Sequence, residues 1–180
     1  LCELSFLRCS RLNRRALCFE NIMDIHKATY SDFDKVNILF KELDESHVDI
    51  DPKRIRIHNE QPRTAEEFAD YISGDRNALF LCVKGQKLAG MANVKHCVIE
   101  QNRFRVGREY VLLDNLFVRK IYRRHGVGRA LYKHVCSWAE DRNVKVIEVN
   151  VYINNILAQK FYNSLGFIPY LQRMESVINA

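Results

Sequence analysis

The chain is 180 residues long, 47% hydrophobic and 28% charged, which suits one domain with a sizeable core and excludes a disordered protein. Its formal net charge of +6 is mildly basic, a balance open to nucleic acid, a membrane surface or a polyanionic cofactor. No apolar run approaches the roughly 20 residues that a bilayer span requires, so the sequence reads as a soluble protein.

Residues 1–22 stand apart, with Arg8, Arg11, Arg14 and Arg15 interrupting the apolar centre that a secretory signal would need. The first Met is Met23, directly before strand-like residues. The segment is therefore expected to be an extension outside the fold, vector-derived or translated upstream sequence, followed by a single domain over 23–180. An Arg-rich organelle-targeting segment is the alternative. The cysteines at positions 2, 9, 18, 82, 97 and 136 form no Cys-x-x-Cys pair, so no metal site is expected. Cys82, Cys97 and Cys136 fall inside predicted elements as small buried thiols, which fits a reducing, cytoplasmic setting.

A short strand is predicted from Asp24 to Thr29. Ser31 or Asp32 then caps a helix whose apolar residues Phe33, Val36, Leu39, Phe40 and Leu43 keep helical spacing. Asp44, Glu45, His47, Asp49 and Asp51, ending at Pro52, read as an acidic loop and a candidate contact for a cationic substrate. A second helix spans Thr64 to Ser73, with Thr64 and Glu67 as a capping box and Gly74 as its stop. Ala78 to Lys84, a Gly85-Gln86 turn and Lys87 to Glu100 read as an antiparallel hairpin. After a basic turn at Gln101 to Arg108 comes the strand Glu109 to Val118. A helix beginning at Gly126 places Val127, Ala130, Leu131, Val135, Trp138 and Ala139 on one side. Val144 to Val151 fits a strand parallel to its predecessor, with that helix as the crossover. A further helix runs from about Asn155 to Leu165 and ends at Gly166, and Phe167 to Arg173 reads as a last strand.

The junction Val118 to Leu131 carries the most chemistry. Gly126 and Gly128 lack a Cβ, so a ligand can approach their N–H groups. The first turn of the following helix offers unpaired N–H groups and the positive end of the macrodipole, which favour a phosphate. Arg123, Arg124 and Arg129 add positive charge, so the stretch reads as a pyrophosphate cradle. A P-loop would need Gly-Lys-Ser/Thr where Gly128 precedes Arg129 and Ala130, and a dinucleotide fingerprint would need Gly where Leu131 stands.

The pattern present is Arg/Gln-x-x-Gly-x-Gly/Ala, met by Arg123, Gly126 and Gly128. It resembles the acetyl-CoA loop of the GNAT superfamily of N-acetyltransferases. Asn155-Ile-Leu-Ala158, followed by Tyr162 and then Leu165-Gly166-Phe167, resembles that superfamily's second signature at the expected separation. The order strand, two helices, three-strand meander, then helix, strand, helix, strand is also similar. The resemblance covers Asp24 to Arg173. It implies a single α/β (α+β) domain with a mixed, mostly antiparallel sheet, a parallel strand-helix-strand unit and helices on both faces.

The resemblance also implies roles. Arg123, Arg124, His125, Gly126, Val127, Gly128 and Arg129 would bind the pyrophosphate of acetyl-CoA, the cosubstrate. Asn155 would contact the pantetheine arm, and Tyr162 would protonate the departing thiolate. Backbone N–H groups near Leu116, Phe117 and Val118 would hold the thioester carbonyl as an oxyanion site. An amine with a pKa of about 10 must lose a proton before it attacks. Asp114 stands where diamine and related acetyltransferases have Glu, and is the first candidate base, with Glu148 and Glu109 behind it. The position five residues before Asn155, where ribosomal-protein N-terminal acetyltransferases place a Glu, is Asn150 and cannot take a proton.

The expected activity is transfer of an acetyl group from acetyl-CoA to a primary amine of a small molecule, polyamine-like or an aminoglycoside. The alternatives are a protein N-terminal or lysine acetyltransferase, or a noncatalytic acyl-CoA-binding module. No nucleic-acid or membrane partner is expected, since the arginines cluster at the cradle and in residues 1–22 without interleaved aromatics. A homodimer is left open, dimers being common in the superfamily.

Overall fold

A computed structural model describes residues 23–56 and 62–178; the extension expected over residues 1–22 lies outside them. The described chain falls into two compact units, one ending at Asn150 and the other beginning at Val151. The first contains a five-stranded sheet, β1 (Met23–Lys27), β2 (Asn77–Lys84), β3 (Lys87–Ile99), β4 (Arg108–Val118) and β5 (Ile147–Glu148), in that spatial order. All neighbours run antiparallel except β4 and β5, which are parallel. With the helices α1 (Phe33–Val48), α2 (Ala65–Ile72) and α3 (Val127–Glu140), this is the mixed α/β architecture that the motif order predicted.

β2 carries Leu79-Phe80-Leu81-Cys82, apolar on both faces, and both faces are covered. Leu79 and Leu81 join Met91 of β3 and Phe117 of β4 in a cluster with Val36, Leu39, Phe40 and Leu43 of α1 and Phe68 of α2. On the opposite face, Phe80 meets His134 and Trp138 of α3 edge-on, at 4.7 and 6.3 Å between ring centroids. Each fully buried aliphatic or aromatic side chain contributes roughly 1.5–3 kcal/mol relative to exposure. The sheet is therefore held from two sides, and its middle strands are its most fixed part.

Of the two predicted caps, the Thr64–Glu67 box forms as read and the side-chain cap of α1 does not. Thr64 Oγ1 accepts from the Glu67 N–H at 3.2 Å, while the Glu67 carboxylate accepts from the Thr64 N–H at 2.8 Å. Asp32 takes the position before α1, but its carboxylate turns back to accept from the Thr29 N–H at 2.9 Å.

Three expectations need correction. First, α1 continues to Val48, so Asp44, Glu45 and His47 lie on a helix rather than in a loop. Leu43 completes its apolar stripe, and Glu, Asp and Ser on the other side do not stop a helix that is already packed. Second, the strand expected over Val144–Val151 is only Ile147–Glu148. Its first residue is used to close α3: the Val144 N–H bonds the Ala139 carbonyl at 3.0 Å, the Asn143 N–H bonds that of Glu140 at 2.9 Å, and Asn143 is left-handed at φ +59°. This is a Schellman closure, which buries Val144 against the helix end.

The third correction lies in the second unit, which contains α4 (Ile156–Asn163). No strand forms over Phe167–Arg173. Pro169 removes a ladder donor from the middle of that stretch, and Ile168, Tyr170 and Leu171 are left exposed.

Candidate active site

Between β4 and α3 the chain makes a single 3-10 turn (Lys120–Tyr122) and then reverses sharply. Arg124 and Gly126 both have left-handed torsions, φ +67° and +82°. Gly126 takes its torsion without a steric cost, whereas Arg124 stores strain. Arg123 Nε donates to the Val118 carbonyl at 3.0 Å, and His125 Nδ1 lies 2.8 Å from the Arg123 carbonyl. The first helical bond of α3 runs from the Ala130 N–H to the Gly126 carbonyl at 3.0 Å. The amides of Val127 and Gly128 thus precede the ladder at the positive end of a 14-residue helix. Arg123, Arg124, His125, Gly126 and Arg129 are all exposed around this end. A carbon built on Gly126 would find nothing closer than Met23 Cε at 3.9 Å, so the backbone is approachable. The donor set fits a pyrophosphate.

The loop's entrance is anchored. Arg119 grips Glu42 of α1 with both ends of its guanidinium, Nη2 to Oε1 at 2.7 Å and Nε to Oε2 at 3.1 Å. Gly90 lets β3 close on the same point, because a Cβ there would lie 2.4 Å from the Phe117 carbonyl oxygen.

A bulge decides which β4 groups face outward. In the β3–β4 register Asn93 pairs with Asn115 and Val94 with Leu113, so Asp114 is the extra residue. Before it, the Val111 N–H points toward β5, donating to the Val146 carbonyl at 2.9 Å. After it, the Arg119 N–H points toward β3, donating to Ala89 at 3.0 Å. Alternation along the strand then turns the Phe117 amide to β3 and those of Leu116 and Val118 to the other side. There the pairing with β5 has already ended at Leu112. The bulge therefore frees two amides and one carboxylate on the same short stretch. Asp114 itself is exposed, and its Oδ2 accepts from Asn93 Nδ2 at 3.3 Å and Asn115 Nδ2 at 3.1 Å.

The other acidic candidates are engaged. Glu148 pairs with Arg108, and Glu109 with His96 at 3.2 Å. In the acidic stretch, Arg63 chelates Asp44 at 2.9 and 3.1 Å and covers the Phe40 ring at 4.5 Å, while Arg54 pairs with Asp51 at 2.6 Å. Among the described residues Glu45 and Asp49 make no such pair, and both are exposed. Sequence reading missed the Asp44–Arg63 and Glu42–Arg119 pairs, which join residues 19 and 77 positions apart; spacing gives no signal for either. It also missed Asn93. Among the described residues, Cys82, Cys97 and Cys136 form no disulfide, and burial raises the Cys82 thiol above its ordinary range.

In the second unit, Asn155 precedes α4 and its Oδ1 accepts from the Ala158 N–H at 3.1 Å. The helix-cap role is thus made. Tyr162 is buried, with Phe161 and Phe167 each 5.3 Å away between centroids. Burial pushes its phenol well above the ordinary tyrosine range.

Residues 39–167 match the model of the acetyltransferase (GNAT) family, well over half of the 180 residues. The chain belongs to the GNAT family. This GNAT chain is 31% identical over 94 residues to the ribosomal protein bS18-alanine N-acetyltransferase of Escherichia coli K12. That match covers 52% of this chain and 57% of the relative, so it spans little more than half of the relative's length. Among solved structures, a tetramutant of the BH1408 protein from Bacillus halodurans superposes with a TM-score of 0.81 at 26% identity, covering 86% of this chain and 99% of that one. An aminoglycoside N-acetyltransferase solved with CoA gives 0.64 at 17% identity, covering 87% and 100%, a likeness of fold. No described helix is long and apolar enough to cross a membrane, and no described cluster of His, Cys, Asp and Glu could hold a metal.

Proposed function

We propose that this GNAT chain transfers an acetyl group from acetyl-CoA to a primary amine. The observation that carries this is the bulge at Asp114, which presents a carboxylate and the outward amides of Leu116 and Val118 on the stretch of β4 that leads directly into the cradle at Arg123 to Arg129. A base, an oxyanion site and an anion cradle thus follow one another along a single segment of chain.

Acetyl-CoA supplies the activated acetyl group. Around it, the amides of Val127 and Gly128 and the guanidinium groups of Arg123, Arg124 and Arg129 hold the pyrophosphate. The outward amides of Leu116 and Val118 donate to the thioester carbonyl oxygen as it gains charge. Asp114 accepts the proton of the attacking ammonium, directly or through water. Asn155 is assigned to the pantetheine arm on the family pattern, and Tyr162 to the departing thiolate. A thiol of ordinary pKa about 8.5 is a stronger acid than a tyrosine whose pKa burial has raised. Tyr162 therefore serves as a hydrogen-bond donor to the thiolate rather than as a full proton donor. Tyr162→Phe should lower kcat about tenfold and leave acetyl-CoA affinity within twofold; an unchanged kcat removes Tyr162 from the mechanism.

For the acceptor, the first reading is a small molecule carrying a primary amine. Asp114 offers a single exposed carboxylate, and with Asp44 and Asp51 already paired, the anions left for a second ammonium among the described residues of the acidic stretch are Glu45 and Asp49. A protein N-terminal amine is the second reading, favoured by the similarity to the bS18-alanine N-acetyltransferase. Release of free CoA thiol, measured against monoamines, polyamines, aminoglycosides and peptides with free N-termini, tests both. Turnover of small amines alone supports the first, and turnover of peptides alone replaces it with the second. Tight acetyl-CoA binding without turnover of any acceptor overturns the enzymatic reading.

A further inference from the structure

Asn93 is the one buried polar residue among those described, at 4% exposure. It lies in the middle of β3, between Ala92 and Val94, where an apolar side chain would be the ordinary occupant. Burying an amide costs free energy unless it is hydrogen-bonded. Its Nδ2 donates to Asp114 Oδ2 across the strand pair. The bulge gives Asp114 and Asn115 their positions opposite Asn93, and Asn115 Nδ2 donates to the same oxygen. Two amides from two strands therefore meet on one carboxylate oxygen, while Oδ1 accepts from no described group.

We infer that Asn93 and Asn115 form an amide clamp that positions the Asp114 carboxylate, with Oδ1 turned to the acceptor amine. The inference rests on the reading of Asp114 as the base. Asn93 and Asn115 are positioning residues that act through Asp114. A carboxylate on a bulge would otherwise sample several rotamers, and a displacement of about 1 Å can cost a hundredfold in rate.

The test is a double-mutant cycle on the intact chain, using the best acceptor from the amine and peptide panel. Asn93→Leu and Asn115→Ala should each lower kcat about tenfold, with KM for acetyl-CoA within twofold. Neither should lower the rate further in an Asp114→Asn background. Full, additive losses in that background overturn the clamp and leave the base reading standing. An Asp114→Asn variant with undiminished kcat overturns the base reading, and the clamp with it. If Asn93→Leu fails to fold, Asn115→Ala carries the same cycle, because Asn115 is only partly buried and its loss leaves no buried group unpaired. An Asn115→Ala variant with unchanged kcat overturns the two-amide clamp.

Discussion

The cradle and the α1–α2 connection are both charged stretches beside the sheet, yet they are built in opposite ways. In the cradle, the groups that matter belong to the backbone: left-handed Arg124 and Gly126, and the amides that precede the α3 ladder. Its arginines stay exposed around a helix end. Around Arg63, at the α2 end of the connection, side chains satisfy one another. Arg63 holds Asp44, the Pro62 carbonyl at 2.6 Å and the Tyr71 hydroxyl at 3.3 Å, and its own N–H and carbonyl are held by Asn37. Charge left outward is suited to a ligand, and charge turned inward is suited to stability.

The largest expected effect breaks the first half of that comparison. Gly126→Val places a β-branched residue at φ +82°, a conformation costing of order 1–3 kcal/mol for a non-glycine residue. Relief of that strain requires the amides of Val127 and Gly128 to move. Acetyl-CoA affinity should fall about a hundredfold by calorimetry, while the thermal midpoint drops by only a few degrees. A variant that binds normally would show that the cradle does not depend on this torsion.

Arg63→Met breaks the second half. It removes the bidentate pair and the contact over Phe40, and leaves Asp44 partly buried without its partner. Removing one member of a buried pair costs about 3–5 kcal/mol, and exposed pairs are worth at most about 1 kcal/mol. With side-chain exposures of 21% and 17% for Arg63 and Asp44, about 2 kcal/mol is expected in chemical denaturation, between those two limits. Acetyl-CoA affinity should stay within twofold. A parallel loss of affinity would mean that the two regions are coupled.

The same contrast explains what was legible in the sequence. The left-handed turn at Gly126 before α3, the Thr64–Glu67 box and the β4-α3-β5 crossover are written in spacings of a few residues, and torsion and capping rules read them directly. The bulge at Asp114 is not, because it exists only in the register between β3 and β4. Asn93 looks like an ordinary strand residue until Asp114, 21 positions on, is brought opposite it. The shortened β5 was half legible: Asn143 before Val144 is a usable helix stop, but the β-branched run outweighed it. Pro169 was a plain signal against a last strand.

The smallest effect sharpens the comparison through pH. Burial holds the His47 imidazole below its ordinary pKa; the Asp44 carboxylate opposes this and the Arg63 cation adds to it. The unfolded chain therefore takes up this proton first as the pH falls. The stability that neutral His47 represents is present above the ordinary value of about 6.5 and is lost as the pH drops from there toward the lowered folded value. His47→Gln should flatten the stability profile between about pH 7 and 5, read as the denaturation midpoint across that range. Arg63→Met removes one cause of the depression while leaving Asp44 to raise the pKa. It should therefore also flatten the slope on top of its pH-independent loss. A His47→Gln profile parallel to that of the parent chain would show that the imidazole is solvated like any surface histidine, and that the connection is less tightly closed than its hydrogen bonds imply.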